Sequence, residues 1–97
     1  MTKKTDLKEM EGFIKALGSE NRLKILMLFM DGRERTVNEI THAVGIGQST
    51  CSEHLAVLKK AGLMNSHKMG KEVLYLPNRD VILGMLERIS GTLKQCC

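Results

Sequence analysis

The stretch from residue 37 to residue 63 constrains most strongly what this chain can fold into. Thr36, just before this stretch, and Glu39, within it, have the spacing of a capping box, in which a hydroxyl and a carboxylate each satisfy a free backbone amide, so a helix is predicted to begin there. Gly45 provides a turn, because glycine adopts positive φ at little steric cost. A second helix is predicted to begin near Gln48 and to stop at Gly62, with a hydrophobic residue following the glycine.

The second predicted helix has two different faces. At about 100° per residue, one stripe is apolar and is predicted to face the core; it consists of Cys51, Leu55 and Leu58. Ser49, Glu53 and Lys60 lie on the opposite side, so the exposed face is polar, and small at its N-terminal end. Phosphates and base edges can meet the free amides of such a helix end. Two helices joined in this way indicate a helix-turn-helix, which presents its second helix to the major groove of DNA.

The residues that follow Leu63 indicate a β-hairpin. Two short strands are predicted on either side of a glycine turn at residues 69–71. The second strand alternates between two faces, with Val73 and Tyr75 on one and Leu74 and Leu76 on the other. Lys68 and Lys71 lie at the predicted tip, and a basic hairpin directly after a recognition helix indicates a winged helix, with the tip along the DNA backbone. The alternative is a solvated two-stranded ribbon.

Three more helices are predicted outside this region, over about residues 7–17, 20–30 and 79–94. Residues 20–30 are apolar on almost all sides, which predicts a central core helix. Residues 31–35 are interpreted as a polar loop, and Asn78 as the cap of the last helix. The apolar stripe of that helix consists of Ile82, Met85, Leu86, Ile89 and Leu93. The fold prediction is therefore a mainly α winged helix-turn-helix with a small β-hairpin: about five helices and a two-stranded wing.

The two terminal helices carry strong apolar stripes that so short a chain need not cover by itself. One explanation is a partner subunit, because a two-fold dimer places two recognition helices about 34–36 Å apart, one turn of DNA. Residues 1–97 are predicted to form a single DNA-binding domain whose helices over about residues 7–17 and 79–94 dimerise.

Composition agrees with a nucleic-acid partner. The formal net charge is +4, which is mildly basic, and aromatic residues are only 3%, which argues against stacking platforms for RNA or single strands. No signal peptide and no apolar run of membrane-spanning length is found in the sequence. The three cysteines are an odd number without a secretory signal, so we expect reduced thiols in the cytoplasm.

Three segments resemble the arsenic-repressor (ArsR/SmtB) family. Residues 15–26 resemble its opening motif, residues 47–58 its recognition helix and residues 70–75 its wing, and the likeness extends over roughly residues 10–93. The resemblance implies a homodimeric, sequence-specific repressor whose first and last helices form the dimer interface. It also implies an operator, expected to be an inverted repeat, from which a small inducer releases the protein.

A set of DNA contacts follows from the face of the second helix, the wing tip and the family motif. The set is Gln48, Ser49, Thr50, Ser52, Glu53, Lys60, Lys68 and Lys71. The resemblance places Thr50 beside a phosphate and the other polar residues of residues 48–53 in the groove. It assigns His54 to a local structural hydrogen bond rather than to a base contact.

The metal ligands of many family members have no counterpart here. Many metal-sensing members carry a Cys-x-Cys motif in the helix before the recognition helix, and this motif is missing here. Other members bind zinc through Asp and His pairs on the last helix, which here carries Asp80 and Glu87 but no histidine. The three histidines lie on three different predicted elements and share no ligand spacing; they are His42, His54 and His67. A metal-independent regulator is therefore one interpretation of the sequence.

The cysteines support another interpretation, in which an inducer acts on their thiols. Cys96 and Cys97 are adjacent thiols, a soft pair suited to trivalent arsenic or antimony, to another thiophilic ion or to oxidation. Trivalent arsenic prefers three thiolates, and the third cysteine is Cys51, although its position predicts a small buried hydrophobe. The alternative for the terminal pair is a frayed tail with incidental thiols.

The sequence also bears on two other classes of function, a thiol enzyme and a protein-interaction module. A thiol enzyme needs a Cys-x-x-Cys at a helix start or a nucleophile with a paired base, and neither is present, so we predict no enzymatic activity. A winged helix that contacts only proteins would not need the polar recognition face or the basic tip. Binding of a random duplex at low salt distinguishes that protein-interaction module from a regulator.

Overall fold

A computed structural model describes residues 4–96 of the chain, and the side chains of residues 7–95. The helices are α1 Lys4–Leu17, α2 Glu20–Leu28, α3 Val37–Val44, α4 Gln48–Lys60 and α5 Arg79–Cys96. The strands are β1 Arg35–Thr36, β2 Met64–Met69 and β3 Glu72–Pro77. The predicted fold class, a mainly α winged helix-turn-helix with five helices, is confirmed.

The helix-turn-helix forms as the sequence predicts. The Glu39 amide donates to the Thr36 hydroxyl at 3.2 Å, and the Thr36 amide donates to the Glu39 carboxylate at 3.0 Å, which completes the capping box of α3. Gly45 follows α3 at φ 78°, and its amide donates to the Thr41 carbonyl at 2.8 Å. Helix α4 then begins at Gln48.

The end of α4 is a Schellman motif, in which two amides beyond the helix bond back to its last carbonyls. The Gly62 amide donates to the Lys59 carbonyl at 3.0 Å, and the Leu63 amide donates to the Leu58 carbonyl at 2.9 Å. Gly62 has φ +81°, a backbone conformation that side chains with a Cβ rarely adopt. Leu63 and Leu58 are both fully buried and belong to the same hydrophobic core.

The core lies where all five helices and the sheet meet. The predicted stripe of α4 is buried, which confirms that Cys51, Leu55 and Leu58 face inward. The other helices and the segment after α4 contribute Phe13, Ala16, Ile25, Ile40, Leu63, Met64 and Met85.

The sheet has three strands rather than the two that the sequence predicts. Its order is β1-β3-β2, and Arg35 and Thr36 pair antiparallel with Tyr75 and Leu74. The interpretation of residues 31–35 as a polar loop is therefore wrong at Arg35, because a two-residue strand has no alternation that a sequence pattern can reveal. The Arg35 guanidinium pairs with Asp31 at 2.6 Å and holds the pKa of that carboxyl well below its usual range.

Helix α2 is shorter and more exposed than predicted. It ends at Leu28, and Phe29–Asp31 form a 3₁₀ turn instead of a last α-helical turn. Ile25 is fully buried, but Leu23 and Met27 are 45% and 59% exposed, so the prediction of a helix covered on all sides is wrong. An all-round apolar sequence does not show which side the rest of a small domain will leave uncovered.

The terminal helices extend beyond their predicted bounds, α1 beginning at Lys4 and α5 ending at Cys96. Asn78 caps α5 as predicted, because its side-chain oxygen accepts from the Val81 amide at 3.3 Å. An ion pair of 3.0 Å between Glu9 and Arg88 joins the two helices. Over residues 4–96, no helix combines the length and the apolar character that crossing a membrane requires.

We expect Gly62→Ala to lower the free energy of unfolding by about 1–2 kcal/mol, because a Cβ is disfavoured in the left-handed conformation. The matched control is Gly91→Ala, where a Cβ meets no atom within 4 Å and the backbone is helical. There the substitution is expected to raise stability by about 1 kcal/mol. Urea unfolding of both variants measures the two effects. Equal shifts in the same direction would contradict the assigned conformation of Gly62.

Candidate nucleic-acid interface

The exposed side of α4 carries the polar residues that the sequence predicts as DNA contacts. Gln48, Ser49, Thr50, Ser52, Glu53 and Lys60 are all exposed. The buried stripe fixes the rotation of the helix, so Ser49, Glu53 and Lys60 lie on the opposite side, whereas Gln48 is exposed as the first residue of α4. Small side chains occupy the first turn, so a ligand can approach the backbone of α4 closely there.

The start of α4 also has free hydrogen-bond donors. Its N-cap is Gly47, which has no side chain to accept from the first amides of the helix, and the first turn contains no acidic residue. The first amides of a helix have no partner within the helix, and the helix dipole places partial positive charge at the same end. The start of α4 is therefore suited to an anion such as a phosphate group.

The wing, formed by β2 and β3, places its basic residues beside the helix-turn-helix. Lys68 lies opposite Val73 near the end of β2, Lys71 lies in the turn after Gly70, and both lysines are exposed. The predicted basic wing tip is thus present.

A cleft of about 220 Å³ separates the wing tip from the starts of α3 and α4. It is lined by Thr36, Val37, Asn38, Gln48, Lys71, Glu72 and Val73. The cleft brings together Gln48 and Lys71, which are distant in sequence. Sequence reasoning missed Asn38, an exposed amide in the first turn of α3, although its place two residues after the capping residue of a helix-turn-helix was a usable signal.

Two side-chain contacts fix the wing relative to the rest of the domain. The Lys59 ammonium donates to the Ser66 hydroxyl at 2.6 Å, which joins α4 to β2. His67 of β2 and Glu34, in the loop before β1, lie 2.9 Å apart. The distance between the recognition helix and the wing tip is therefore held by polar contacts as well as by the sheet.

His54 and Glu53 are neighbours with different surroundings. The Nδ1 atom of His54 lies 3.2 Å from Nη1 of Arg22, and the imidazole is half-buried, which agrees with the predicted local hydrogen bond. Glu53 is exposed and, within the described part of the chain, has no hydrogen bond or ion pair from its side chain. A pair between Glu53 and Lys60 is not formed.

The structure does not assemble a metal site from the residues it describes. Among the side chains of residues 7–95, no group of three or more histidines, cysteines, aspartates or glutamates could hold an ion. Cys51 is fully buried, and burial raises the pKa of its thiol, whereas a soft metal ion binds the thiolate. Cys97 and the side chain of Cys96 lie outside the described residues, so the terminal thiol pair stays a prediction.

The fold and this surface together define a winged helix-turn-helix protein of the DNA-binding type. An exposed polar helix follows a capped helix and a glycine turn, and a basic hairpin stands beside it. That arrangement is the one in which a recognition helix enters the major groove.

Comparison with known proteins gives the family. Residues 19–66 match the model of the arsR family of bacterial regulatory proteins. The cadmium resistance transcriptional regulatory protein CadC of Listeria innocua is 39% identical over 82 residues, which cover 84% of this chain and 69% of that protein. The transcriptional activator HlyU of Vibrio cholerae is 35% identical over 74 residues, which cover 76% of this chain and 68% of HlyU.

Solved structures agree with these matches. The structure of HlyU has a TM-score of 0.71 at 31% identity and covers 90% of this chain and 97% of that chain. The homodimeric winged helix-turn-helix DNA-binding domain of Mb0332 from Mycobacterium bovis has a TM-score of 0.73 at 28% identity, over 93% of this chain and 83% of that chain. This chain belongs to the arsR family of bacterial transcriptional regulators, as the resemblance in the sequence implies, and the matched relatives are regulators rather than enzymes.

Proposed function

We propose that this chain is a homodimeric repressor that binds an inverted-repeat operator in double-stranded DNA and leaves it when an inducer acts. The observation that carries the proposal is the polar start of α4, which shares a cleft with the basic wing tip. Base edges specify a sequence, whereas phosphate contacts position the protein. We therefore assign base reading to Gln48, Ser49, Ser52 and Glu53, and backbone contact to Thr50, Lys60, Lys68 and Lys71.

The first test separates these two roles. Lys71→Ala is expected to weaken binding to every duplex alike and to lower the salt slope by roughly one unit, because one phosphate contact is lost. Gln48→Ala is expected to weaken only the preferred duplex, by about 1–3 kcal/mol, because a base contact is lost. Fluorescence anisotropy at several salt concentrations measures both, on a duplex selected from a random pool and on a scrambled one.

Lys94→Ala is the matched control, because Lys94 is an exposed lysine in the last turn of α5, outside the cleft. Its salt slope should equal that of the parent protein. An unchanged slope in Lys71→Ala would remove the wing from the contact surface. Failure of the parent protein to bind any duplex at low salt would favour the alternative function, a winged helix that contacts only proteins.

The dimer is inferred from apolar side chains that the described chain leaves exposed on its terminal helices. They are Leu7 and Ile14 on α1 and Leu83, Leu86 and Leu93 on α5, with exposed fractions between 44% and 61%. The three α5 residues follow helical spacing on one side of that helix, and Glu9 and Arg88 join α5 to α1. A second copy that covers this surface removes apolar area from water, and the Mycobacterium bovis relative is described as homodimeric.

Leu86→Glu is expected to convert the dimer into a monomer, because it places a charge in a buried apolar interface. It should also weaken operator binding, because a monomer reaches only one half-site. Gly91→Glu is the control, since it adds the same charge on another side of α5, at an exposed position. Sedimentation equilibrium measures the association. A Leu86→Glu variant that remains dimeric would place the interface elsewhere.

For the inducer, we propose a thiophilic ion, with As(III) and Sb(III) among the candidates, or an oxidant that acts on Cys96 and Cys97. The name of the Listeria relative associates that protein with cadmium resistance, which supports a soft metal as the first class to test. Burial of Cys51 does not support it as a third thiolate. The alternative is a metal-independent regulator whose terminal cysteines have no sensing role.

Replacing both terminal cysteines by serine is expected to leave DNA affinity unchanged and to abolish release by cadmium, arsenite and peroxide. Cys51→Val is the control and should respond like the parent, because it fills a core position with another small apolar side chain. Release of a labelled duplex, followed by gel shift, measures the response. A double serine variant that still responds would show that the terminal thiols are incidental.

A further inference from the structure

One guanidinium group joins three helices of the domain. Arg22, near the start of α2, donates from Nε to the Ala16 carbonyl at 2.7 Å and from Nη2 to the Lys15 carbonyl at 3.1 Å. Both carbonyls belong to the last turn of α1. Its remaining nitrogen, Nη1, lies 3.2 Å from Nδ1 of His54 on the recognition helix α4.

The contacts with α1 fix the position of the guanidinium. The last carbonyls of a helix lack partners within it, and the negative end of the helix dipole favours a cation there. In α1, Arg22 donates to the Ala16 carbonyl and also to the Lys15 carbonyl, which accepts from the Gly18 amide at 3.1 Å as well. Its third contact therefore extends from a fixed point at the end of α1 to the side of α4.

The chemistry of the pair determines the state of His54. A guanidinium has only donors and stays charged in proteins, so Nδ1 of His54 must accept the hydrogen bond. The neutral imidazole is then the tautomer with its proton on Nε2. A proton on Nδ1 removes the acceptor and places a second positive charge beside Arg22, so the contact is incompatible with the charged imidazole.

The carboxylates near α4 do not offset that charge. Glu11 pairs with Lys15 at 2.8 Å, Glu20 pairs with Lys24 at 3.4 Å, and none of the described carboxylates pairs with His54. Besides His54 and the buried thiol of Cys51, the charged and titratable side chains that the structure describes on α4 and on the elements around it are Lys8, Glu9, Glu11 and Lys15 on α1, Glu20, Arg22 and Lys24 on α2, Glu39 and His42 on α3, Glu53, Lys59 and Lys60 on α4, and His67 and Lys68 on β2. Lys15 and Lys60 line a groove together with Arg22, so further positive charge lies on this side of α4.

We propose that Arg22 and His54 are positioning residues that hold the recognition helix against the end of α1, so that DNA affinity requires an unprotonated Nδ1 on His54. This inference rests on the proposed DNA-binding function and adds a dependence on pH to it. Neither residue needs to touch DNA, because the contact acts by fixing the orientation of α4 relative to α1.

The sign of the expected pH effect is diagnostic. The contact needs an unprotonated Nδ1, so protonation of the imidazole removes it. DNA affinity should then fall on acidification. Added positive charge alone acts in the opposite direction, because protonated histidines attract phosphates.

The test compares His54→Asn with the parent protein at about pH 7.5 and about pH 5.5, on a duplex that the parent selects from a random pool at the higher pH. The DNA affinity of the parent is expected to be about tenfold lower at the lower pH, which corresponds to the loss of about one hydrogen bond to a charged group. An asparagine places a non-titrating amide oxygen near the position of Nδ1, so the variant should keep its affinity within about twofold. His42→Asn is the control and should retain the fall seen in the parent.

Two further measurements separate positioning from stability and from the proposed function. Thermal unfolding at both pH values must show folded protein, because a fall in affinity that accompanies unfolding would overturn the inference. The imidazole ¹⁵N shifts of His54 should report the Nε2–H tautomer without DNA present, and an Nδ1–H tautomer would overturn the contact. Equal pH dependence in His54→Asn and the parent would also overturn the inference, whereas a parent that selects no duplex would overturn the DNA-binding function itself.

Discussion

The burial of one side of α4 is the constraint on which the rest of the structure depends. Cys51, Leu55 and Leu58 are each 0–1% exposed, and burying a side chain of the size of leucine contributes about 1.5–3 kcal/mol. Any rotation of α4 about its axis would expose this stripe and bury Glu53 or Lys60. The orientation of the polar face is therefore a consequence of core packing, and a surface suited to DNA needs no additional device to point outward.

The polar contacts around α4 act on a different scale from the core. Lys59 joins α4 to the wing, and Arg22 joins it through His54 to the end of α1. Each such hydrogen bond contributes only about 0.5–1.5 kcal/mol, or somewhat more when a charge takes part. These contacts are too weak to define the fold, but they are strong enough to bias the position of a helix that the core already holds. Contacts of this size are comparable to the coupling energies of about 1–3 kcal/mol by which an effector changes the affinity of a second site.

Apolar side chains that the described chain leaves exposed on its terminal helices form the surface proposed for the dimer. The uncovered leucines of α5 lie beside the buried Met85 on the same helix. A chain of 97 residues has too little interior to bury both sides of its terminal helices. Leu23 and Met27 on α2 show the same limit, since an apolar sequence does not ensure a covering partner within the domain.

The sequence by itself determined the presence of the five α-helices, the capping box at Thr36, the glycine end of α4, the hairpin and the family, because each depends on residues close together in the chain. The tertiary structure alone decided that Arg35 and Thr36 form a third strand, that α2 is covered on one side, and that Asn38, Gln48 and Lys71 line one cleft. It also decided that Arg22 meets His54 across 32 positions. Contacts between distant segments depend on how elements pack, and neither helical periodicity nor local spacing carries that information.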